Sequence, residues 1–165
     1  MTQEELHKLL EYKPITGEFT WIRKTCDKVV IGSIAGSMQT NGYACIRINR
    51  KLYLSHRLAF MYMTGAFPVL DVDHINGIRT DNRWCNLREV TRKENLKNGA
   101  KPSTNTSGVL GVGKHRNTGK WTARISVNNK TKYLGLFADF NDAVQARQEA
   151  NVLYGFHKNH GRNLI

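Results

Sequence analysis

The stretch VDHINGIRTDNRWCNLREVTRKENLKN, residues 72–98, decides how we expect the chain to fold. It begins with an apolar residue and an Asp-His pair at 73–74, and an Asn-Gly turn signal follows at 76–77. After a polar loop, the run at 86–90 has the composition of a strand, and a Thr-x-x-Glu capping box opens a helix over 91–97. The stretch therefore predicts strand, loop, strand and helix in that order.

Four side chains in this stretch suit the hydrolysis of a phosphodiester. That reaction needs a base to take a proton from water, and a cation to neutralise charge on the phosphate and the leaving oxygen. His74 is the candidate base because imidazole titrates near neutral pH. Asp73 and Asn95 offer oxygen ligands for Mg²⁺ or Mn²⁺, and Asn86 would orient the imidazole or the loop that carries it. The alternative is that all four are loop residues that satisfy backbone groups.

The pattern DHINGxxxDNRxxNLRxVTxxEN at 73–95 resembles the HNH (ββα-metal) endonucleases, specifically the phage and intron-encoded homing branch, whose third signature residue is commonly Asn. The resemblance implies that His74 is the general base and Asn86 the middle Asn. It implies that Asp73 and Asn95 bind one divalent metal ion, Mg²⁺ or Mn²⁺, and that the DNA products carry a 5′-phosphate and a 3′-hydroxyl. One such site per chain predicts nicking by a monomer, so a double-strand break needs a DNA-assembled dimer or two successive nicks.

The charge of the chain indicates a polyanionic partner. A formal net charge of +12 and a pI near 9.9 point to nucleic acid. The resemblance implies that this partner is double-stranded DNA. A membrane would also attract this charge, but we find no basic amphipathic helix, and the longest apolar run, 58–70, is too short to span a bilayer. The N-terminus MTQEELHKLLEYK lacks an apolar signal core, so we expect a cytoplasmic protein, in the host cytosol if it is phage-encoded. We expect no membrane partner and no small-molecule substrate.

The three cysteines, Cys26, Cys45 and Cys85, are odd in number and widely spaced. Since no Cys-x-x-Cys pair exists, we expect no structural zinc and interpret them as buried or free thiols. Cys85 lies beside the proposed site, but no partner pattern marks it as catalytic.

Residues 1–68 are predicted to form a small α+β platform that supports this motif. A capping box at 2–5 opens a short helix with Leu6, Leu9 and Leu10 on one side. A turn and a strand follow within YKPITGEFTWI, and further strands are separated by glycines.

A hairpin and a helix end this platform. The segments 43–48 and 52–54 are predicted to pair across a turn at 49–50. Ser55 is the predicted N-cap of a helix that runs through Met63 and ends at Gly65. This helix is apolar almost all round, so we expect it to be buried against the sheet.

His56 and Arg57 at the start of this helix have two interpretations. By analogy with a matching His-Arg pair in phage relatives, both would point toward DNA near the active site. Equally, both would be a polar cluster that packs the helix on the sheet, because a single His carries no motif weight.

After residue 97 the apolar pattern is lost and then resets. The segment NGAKPSTNTSG at 98–108 is rich in Gly, Pro, Ser, Thr and Asn and is predicted to be a linker. Strands are then predicted at 109–114, 120–128 and 131–137, followed by a helix from Asp139. The fold class is therefore α+β: a small N-terminal α+β platform carrying a ββα-metal motif, then a separate three-stranded antiparallel sheet packed on one helix.

Alternation assigns the two faces of this sheet. One face and the helix provide the predicted core residues Trp121, Ala123, Ile125, Val127, Phe140, Ala143, Val144, Ala150 and Leu153. The other face is predicted to be free and basic. From Ser103 onward nine basic minus three acidic residues give +6, with Arg147 counted among the basic residues.

The stretches SGVLGV, GKWTARI and YLGLF, followed by an Ala-rich helix, resemble the plant APETALA/ethylene-response-factor (ERF) DNA-binding domain, which also occurs fused to HNH nucleases in phages. A narrow sheet of this kind enters the major groove. The resemblance and the basic character of the sheet give the expected DNA contacts Lys114, His115, Arg116, Arg124, Ser126, Lys132 and Tyr133. Gly113 stands where plant members usually have a DNA-contacting Arg, so the plant target sequence is not carried over. The alternative is a basic face that is only solvated.

The leading hypothesis is a site-specific, homing-type DNA endonuclease whose C-terminal sheet docks on DNA. Four segments are predicted: the platform (1–68), the HNH motif (69–98), a linker (99–107) and an APETALA/ERF-type domain (108–165). One alternative is a DNA-binding transcriptional regulator with an inactive nuclease motif. Another is an RNA-binding protein, although adjacent strands lack the aromatic stacking motifs of such proteins.

Overall fold

The computed structural model of the chain describes residues 1–163. The chain divides into two compact units, one spanning Met1–Asn95 and one beginning at Leu96. The predicted C-terminal domain ends at residues 164–165, which lie outside the described residues. In the described part of the chain, no helix has the length and apolar character needed to cross a membrane.

The first unit alternates short helices with antiparallel strands. Its elements are α1 (Gln3–His7), β1 (Leu10–Lys13), β2 (Glu18–Trp21), β3 (Ser37–Met38), β4 (Ala44–Ile48), β5 (Lys51–Leu54), α2 (Ser55–Thr64), β6 (Asp71–His74), a 3-10 helix (Trp84–Asn86), β7 (Leu87–Val90) and α3 (Arg92–Leu96). β1 pairs with β2, β4 lies between β3 and β5, and β6 pairs with β7. The strand, loop, strand and helix predicted from residues 72–98 are β6, the following loop, β7 and α3.

The helix α1 starts as predicted but is shorter. The Thr2 hydroxyl accepts from the backbone of Glu5, and the Glu5 carboxylate accepts from the backbone of Thr2, which completes the capping box. Leu9 and Leu10 lie beyond the helix, because Leu10 is paired with Trp21 in the hairpin of β1 and β2. Leu10 is nevertheless fully buried.

The second hairpin and the helix after it follow the prediction except at the cap. Asn49 and Arg50 both have positive φ, which is the geometry of a tight turn between β4 and β5. Gly65 ends α2 in the left-handed conformation. Ser55 is not the N-cap: it is the first helical residue, and Leu54 precedes it with no side-chain cap, because β5 runs directly into the helix.

One hydrophobic core holds the first unit together. Leu6, Phe19, Ile46 and Leu58 are buried in it, and Leu87 of β7 belongs to the same cluster. The core therefore joins the N-terminal platform to the strand pair that carries the Asp-His motif. Packing against this core provides most of the stability that such short elements lack on their own.

The second unit is a three-stranded antiparallel sheet with one helix. Its elements are β8 (Val112–Lys114), β9 (Trp121–Val127), β10 (Lys130–Phe137) and α4 (Phe140–Leu153), and β9 is the central strand. Asp139 caps α4 through a bond to the backbone of Asn141. The α+β fold class, with a small platform carrying the ββα motif and a separate sheet packed on one helix, is confirmed.

Two residues of α4 depart from the predicted faces. Leu153, predicted to face the core, is 75% exposed at the end of the helix. Arg147, counted with the basic face, is only 4% exposed. Its guanidinium donates to the backbone carbonyl of Arg124 and to the side chain of Asn151, and burial lowers its pKa. Hydropathy alone does not predict such a buried cation, because its polar partners come from another element.

The predicted linker is hydrogen-bonded within the second unit. The backbone of Lys101 donates to the carbonyl of Arg162, and that of Gly161 donates to the carbonyl of Gly99. Asn98 is 2% exposed and accepts from the Arg162 guanidinium. The boundaries of the linker and of the C-terminal domain stay predictions, but this segment is tied to the C-terminal residues rather than extended.

We expect Gly111→Ala to destabilise the second unit by about 3 kcal/mol or more. Gly111 has φ +81°, which costs an alanine about 1 kcal/mol. In addition, a Cβ there would overlap the Arg147 guanidinium and the Arg124 carbonyl and force a buried charge from its partner. Urea unfolding followed by NMR resonances of β9 measures the change.

Gly108→Ala is the matched control. Gly108 has nearly the same φ, +82°, and a Cβ added there would meet no atom within 4 Å. We expect it to cost only the backbone strain, about 1 kcal/mol. Equal losses for both variants would show that the added Cβ at residue 111 does not disturb the bond between Arg147 and the Arg124 carbonyl.

Candidate active site

Strand pairing between β6 and β7 places Asp73 and His74 inside the first unit. Asp73 lies opposite Arg88, and His74 lies opposite Leu87. Asp73 is 7% exposed and His74 is 4% exposed. The Asp-His pair is therefore largely withdrawn from water, so its polar atoms depend on partners within the protein.

The imidazole of His74 is held by Asn82. Its Nε2 lies 3.1 Å from the side-chain oxygen of Asn82, which is also buried. An amide oxygen only accepts hydrogen bonds, so this contact requires the proton on Nε2 and leaves the lone pair on Nδ1. The Tyr12 hydroxyl in turn donates to the backbone carbonyl of Asn82 at 2.6 Å. The platform thus fixes the residue that orients the imidazole.

The surroundings of His74 favour its neutral form. Burial lowers the pKa of His74, while the hydrogen bond to Asn82 and the charges of Asp73 and Asp81 act in the opposite direction. A neutral imidazole is the form that accepts a proton.

Two aromatic rings from the platform pack around His74. The His56 ring meets it edge-on with centroids 5.1 Å apart, and the Tyr43 centroid lies 6.0 Å away. His56 and Tyr43 also contact each other, at 5.2 Å. The Arg79 guanidinium stacks on Tyr43, with its carbon 5.2 Å from the ring centroid. The imidazole therefore sits against an aromatic wall that restricts its rotation.

The positions of His56 and Arg57 favour the packing interpretation of this pair. His56 is 5% exposed. Arg57 donates to the carbonyls of Pro68 and Leu70, at 2.6 and 3.4 Å, and so holds the segment that enters β6. Arg57 is partly exposed, so a contact of this residue with DNA stays a prediction.

Asn86 shapes the loop after β6. Its amide oxygen accepts from the backbone of Asn76, and its nitrogen donates to the side chain of Asn76 and the carbonyl of Asp81. Of the two roles considered for Asn86, these contacts match the holding of the loop. The contact with the imidazole itself comes from Asn82.

Asp73 is paired with an arginine on the neighbouring strand. The Nε and Nη2 atoms of Arg88 lie 3.0 and 2.8 Å from the same oxygen, Oδ2 of Asp73. The Arg88 side chain is 35% exposed, whereas that of Asp73 is 7% exposed. The carboxylate is thus inside the unit, and the guanidinium reaches it from the surface.

Asn95 is bonded to a second carboxylate of β6. Its amide nitrogen donates to Oδ2 of Asp71 at 2.9 Å, and Arg92 donates to the same oxygen at 3.1 Å. These bonds, that of Asn95 first, lower the pKa of Asp71. Because the amide nitrogen is engaged, the amide oxygen of Asn95 is the end that is available as a metal ligand.

The donor set fits a hard divalent cation in its chemistry. Asp73 offers a carboxylate and Asn95 an amide oxygen, and Mg²⁺ commonly takes few protein ligands and completes its shell with water and phosphate. Each of the two residues is bonded to a different partner, Arg88 or Asp71. Among residues 1–163, no three or more His, Cys, Asp or Glu side chains group as a metal site. Cys26 and Cys85 are exposed free thiols and Cys45 is a buried one.

The second unit displays only part of the predicted DNA-contacting set on one face. Arg124 and Ser126 are exposed on β9, and Tyr133, paired with Arg124, is 60% exposed. Lys132 pairs with the buried Ile125 and so lies on the opposite face. There its ammonium group bonds the Tyr154 hydroxyl at 3.0 Å.

The remaining predicted contacts lie on and after β8. Lys114 pairs with Trp121 on the side of the sheet that packs against α4, and its ammonium group lies 5.4 Å from the Trp121 ring centroid. His115 bonds the Thr118 hydroxyl in the turn, and Arg116 is exposed there.

Sequence reasoning missed two positioning residues, Asn82 and Asp71. Asn82 lies within the quoted Asp-Asn-Arg pattern, but no local spacing shows that it reaches His74. Asp71 could have been found from the sequence, because it lies two residues before Asp73 on a predicted strand and alternation places both on the same face. A second carboxylate on that face would have been a reasonable prediction.

Comparisons with known proteins give a family match within residues 53–97 and one similar solved structure. Residues 53–97 match the family model described as HNH endonuclease, which confirms the HNH part of the resemblance. The chain is similar to a solved structure titled "DNA binding and cleavage by the HNH homing endonuclease I-HmuI", with 22% identity over 92% of this chain and 88% of that chain and a TM-score of 0.43. No curated protein matches the chain. The family match ends before the three-stranded sheet.

We expect acid to destabilise the first unit partly through His56. Burial first, and then the charges of His74 and Arg57, lower the pKa of His56 from 6.5 to about 3. Between these values the unfolded chain binds a proton that the folded chain does not, so stability falls as pH drops through this window. His56→Phe keeps a ring and removes the titration.

Urea midpoints at pH 7.5 and pH 5, followed by NMR resonances of β4, measure the effect. The parent should lose more stability than the His56→Phe variant over this interval, with the remaining loss due to other groups such as His74. An identical loss in both proteins would show that His56 is not held neutral.

Proposed function

We propose that the chain is a metal-dependent DNA endonuclease of the HNH type that hydrolyses a phosphodiester and nicks one strand per active site. The observation that carries this proposal is the buried imidazole of His74, oriented by Asn82 and next in sequence to Asp73, inside the segment that matches the HNH endonuclease family. Homing-type site specificity rests on the resemblance of residues 73–95 to that branch.

His74 acts as the general base. With the proton on Nε2 donated to Asn82, Nδ1 accepts a proton from the attacking water. The water oxygen bonds to phosphorus, the bond from phosphorus to the 3′-oxygen breaks, and that oxygen takes a proton from solvent. The products are a 5′-phosphate and a 3′-hydroxyl. Because one chain has one such site, a monomer nicks DNA, and a double-strand break needs a DNA-assembled dimer or a second nick.

Asp73 and Asn95 would hold the divalent ion, Mg²⁺ or Mn²⁺, through oxygen atoms. When bound, the ion would neutralise negative charge on the phosphate and the leaving oxygen. Asp71 is a positioning residue in this proposal, because its bond to the Asn95 nitrogen selects which end of the amide is presented. Asn86 is a second one, because it holds the loop that carries Asn82.

The second unit would supply docking on double-stranded DNA. Support comes from the exposed side chains of Arg124, Ser126 and Tyr133 on one face of a narrow antiparallel sheet. We retain an APETALA/ERF-type DNA-binding domain in this proposal. Lys132 and Lys114 lie on the face opposite Arg124, so we expect them to contribute less to the contact with DNA.

A DNA-binding transcriptional regulator with an inactive nuclease motif is the competing function. Both proteins would bind DNA, so cleavage has to separate them. The match of residues 53–97, which include His74, to the family model described as HNH endonuclease favours the enzyme.

We expect His74→Ala to reduce nicking of supercoiled plasmid in Mg²⁺ or Mn²⁺ by at least about 100-fold, a typical contribution of a general base. DNA affinity should be nearly unchanged, because the side chain is buried. Gel conversion of supercoiled to nicked circle measures the rate. His7→Ala is the control, since His7 is an exposed histidine of the same unit. Binding by the parent without nicking in any divalent metal would favour the regulator.

We expect Arg124→Ala to weaken DNA binding by roughly 1–3 kcal/mol, the usual range for a lost arginine contact to a base. Nicking should survive at high protein concentration, because the site itself is untouched. Lys132→Ala is the matched control: it removes one positive charge from the adjacent strand but from the opposite face. Fluorescence anisotropy with labelled duplex measures both affinities. Equal losses would mean that net charge, and not this face, determines docking.

A further inference from the structure

The pairing of Asp73 with Arg88 raises a question that the proposed function leaves open. Both nitrogen contacts of the guanidinium converge on Oδ2, at 3.0 and 2.8 Å, and the carboxylate is 7% exposed. A carboxylate at this depth is strongly disfavoured without a counter-charge. Arg88 therefore serves as the positive charge that makes burial of Asp73 possible.

A divalent ion on Asp73 would compete with this guanidinium. Two cations on one carboxylate repel each other, and the repulsion is little screened in a buried site. The pair between Arg92 and Asp71, on the same strand, differs in this respect. Asp71 is 36% exposed and Arg92 76% exposed, so solvent and salt weaken that pair. We therefore expect a metal ion at Asp73 to compete mainly with Arg88 for the carboxylate.

The Arg88 side chain is placed where it can move away from Asp73. It is 35% exposed and reaches Asp73 across the strand pair from the surface, so its long side chain has solvent to move into. A released guanidinium would also suit the phosphate of the substrate, because its planar donors match phosphate oxygens.

We propose that Arg88 is the resident counter-ion of Asp73, displaced from Oδ2 when the divalent ion binds, and that it thereby sets the affinity of the site for metal. This inference rests on the proposed function, in which Asp73 is a metal ligand. The cost of displacing Arg88 weakens metal binding in the absence of DNA. The phosphate of bound DNA offers the guanidinium another partner, so metal binding and DNA binding favour each other.

The test compares Mn²⁺ affinity, without DNA, in the parent, Arg88→Met and Arg83→Met. Isothermal titration calorimetry measures the affinity at fixed pH and salt. Arg88→Met should bind Mn²⁺ about tenfold more tightly than the parent, a factor measurable by this method. Arg83→Met removes a nearby positive charge that is paired with Asp81 and not with Asp73, so its affinity should change much less. Equal gains in both variants would overturn the inference and indicate a general charge effect.

Stability supplies a second readout. In EDTA, Arg88→Met should be less stable to urea than the parent, because Asp73 is left without its counter-charge, and Mn²⁺ should restore more stability in the variant. Asp73→Asn combined with Arg88→Met should remove both the loss and the response to Mn²⁺. A parent and an Arg88→Met variant with the same stability in EDTA would overturn the counter-ion role.

The remaining outcomes separate this inference from the proposed function. If the parent binds Mn²⁺ and Arg88→Met binds it no more tightly, the inference on Arg88 fails and the metal site stands. If neither folded protein binds Mn²⁺, the ligand set of the proposed function fails, and the inference fails with it. If Arg88→Met does not fold, Arg88→Lys decides: tighter Mn²⁺ binding than the parent supports the inference, because the weaker single contact is easier to displace, and equal or weaker binding overturns it.

Discussion

The site depends on burying an ionisable pair in a sheet of only two strands. β6 and β7 are four residues each, so they cannot isolate Asp73 and His74 from water without the platform. Once desolvated, each polar atom needs a partner inside the protein, because an unpaired buried polar group costs about 1–3 kcal/mol. The hydrogen bonds of Asn82 and Arg88 are thus conditions for the fold as well as for the chemistry.

This constraint explains why the platform and the loop are built as they are. Tyr12, far away in sequence, fixes Asn82 through its backbone, and Asn86 fixes the other end of the same loop. The His56 ring packs edge-on against the imidazole and helps to bury it. An orientation that depends on several partners is lost only in part when one of them is removed.

Local features could be predicted from the sequence, and long-range partners could not. The capping box at 2–5 and the turn at 49–50 depend on neighbouring residues, and these predictions are confirmed. The alternation of β9 holds over 123–126, whereas Thr122, which alternation places on the free face, is buried. The sequence pattern points to Asn86 as the residue that orients His74 or its loop, while the structure uses Asn82 for the ring. Nothing in the spacing distinguishes them, since both lie between the same two strands. By contrast, the face occupied by Lys132 follows from alternation once its register with Ile125 is known.

The net charge of the chain overstates the number of positively charged side chains that are available to contact a nucleic acid. The chain has a net charge of +12, yet several arginines bond groups within their own unit: Arg57 bonds backbone carbonyls, Arg88 a carboxylate, and Arg147 the Arg124 carbonyl. Such cations still contribute to the long-range field that attracts a polyanion. An arginine that stays bonded to its internal partner does not neutralise a phosphate and so releases no counterion from it. The salt dependence of binding to a nucleic acid therefore reports only the exposed cations. Long-range attraction and direct contact are therefore separate properties of this chain. If a metal ion replaces Arg88 at Asp73, as we propose, Arg88 passes from the first property to the second.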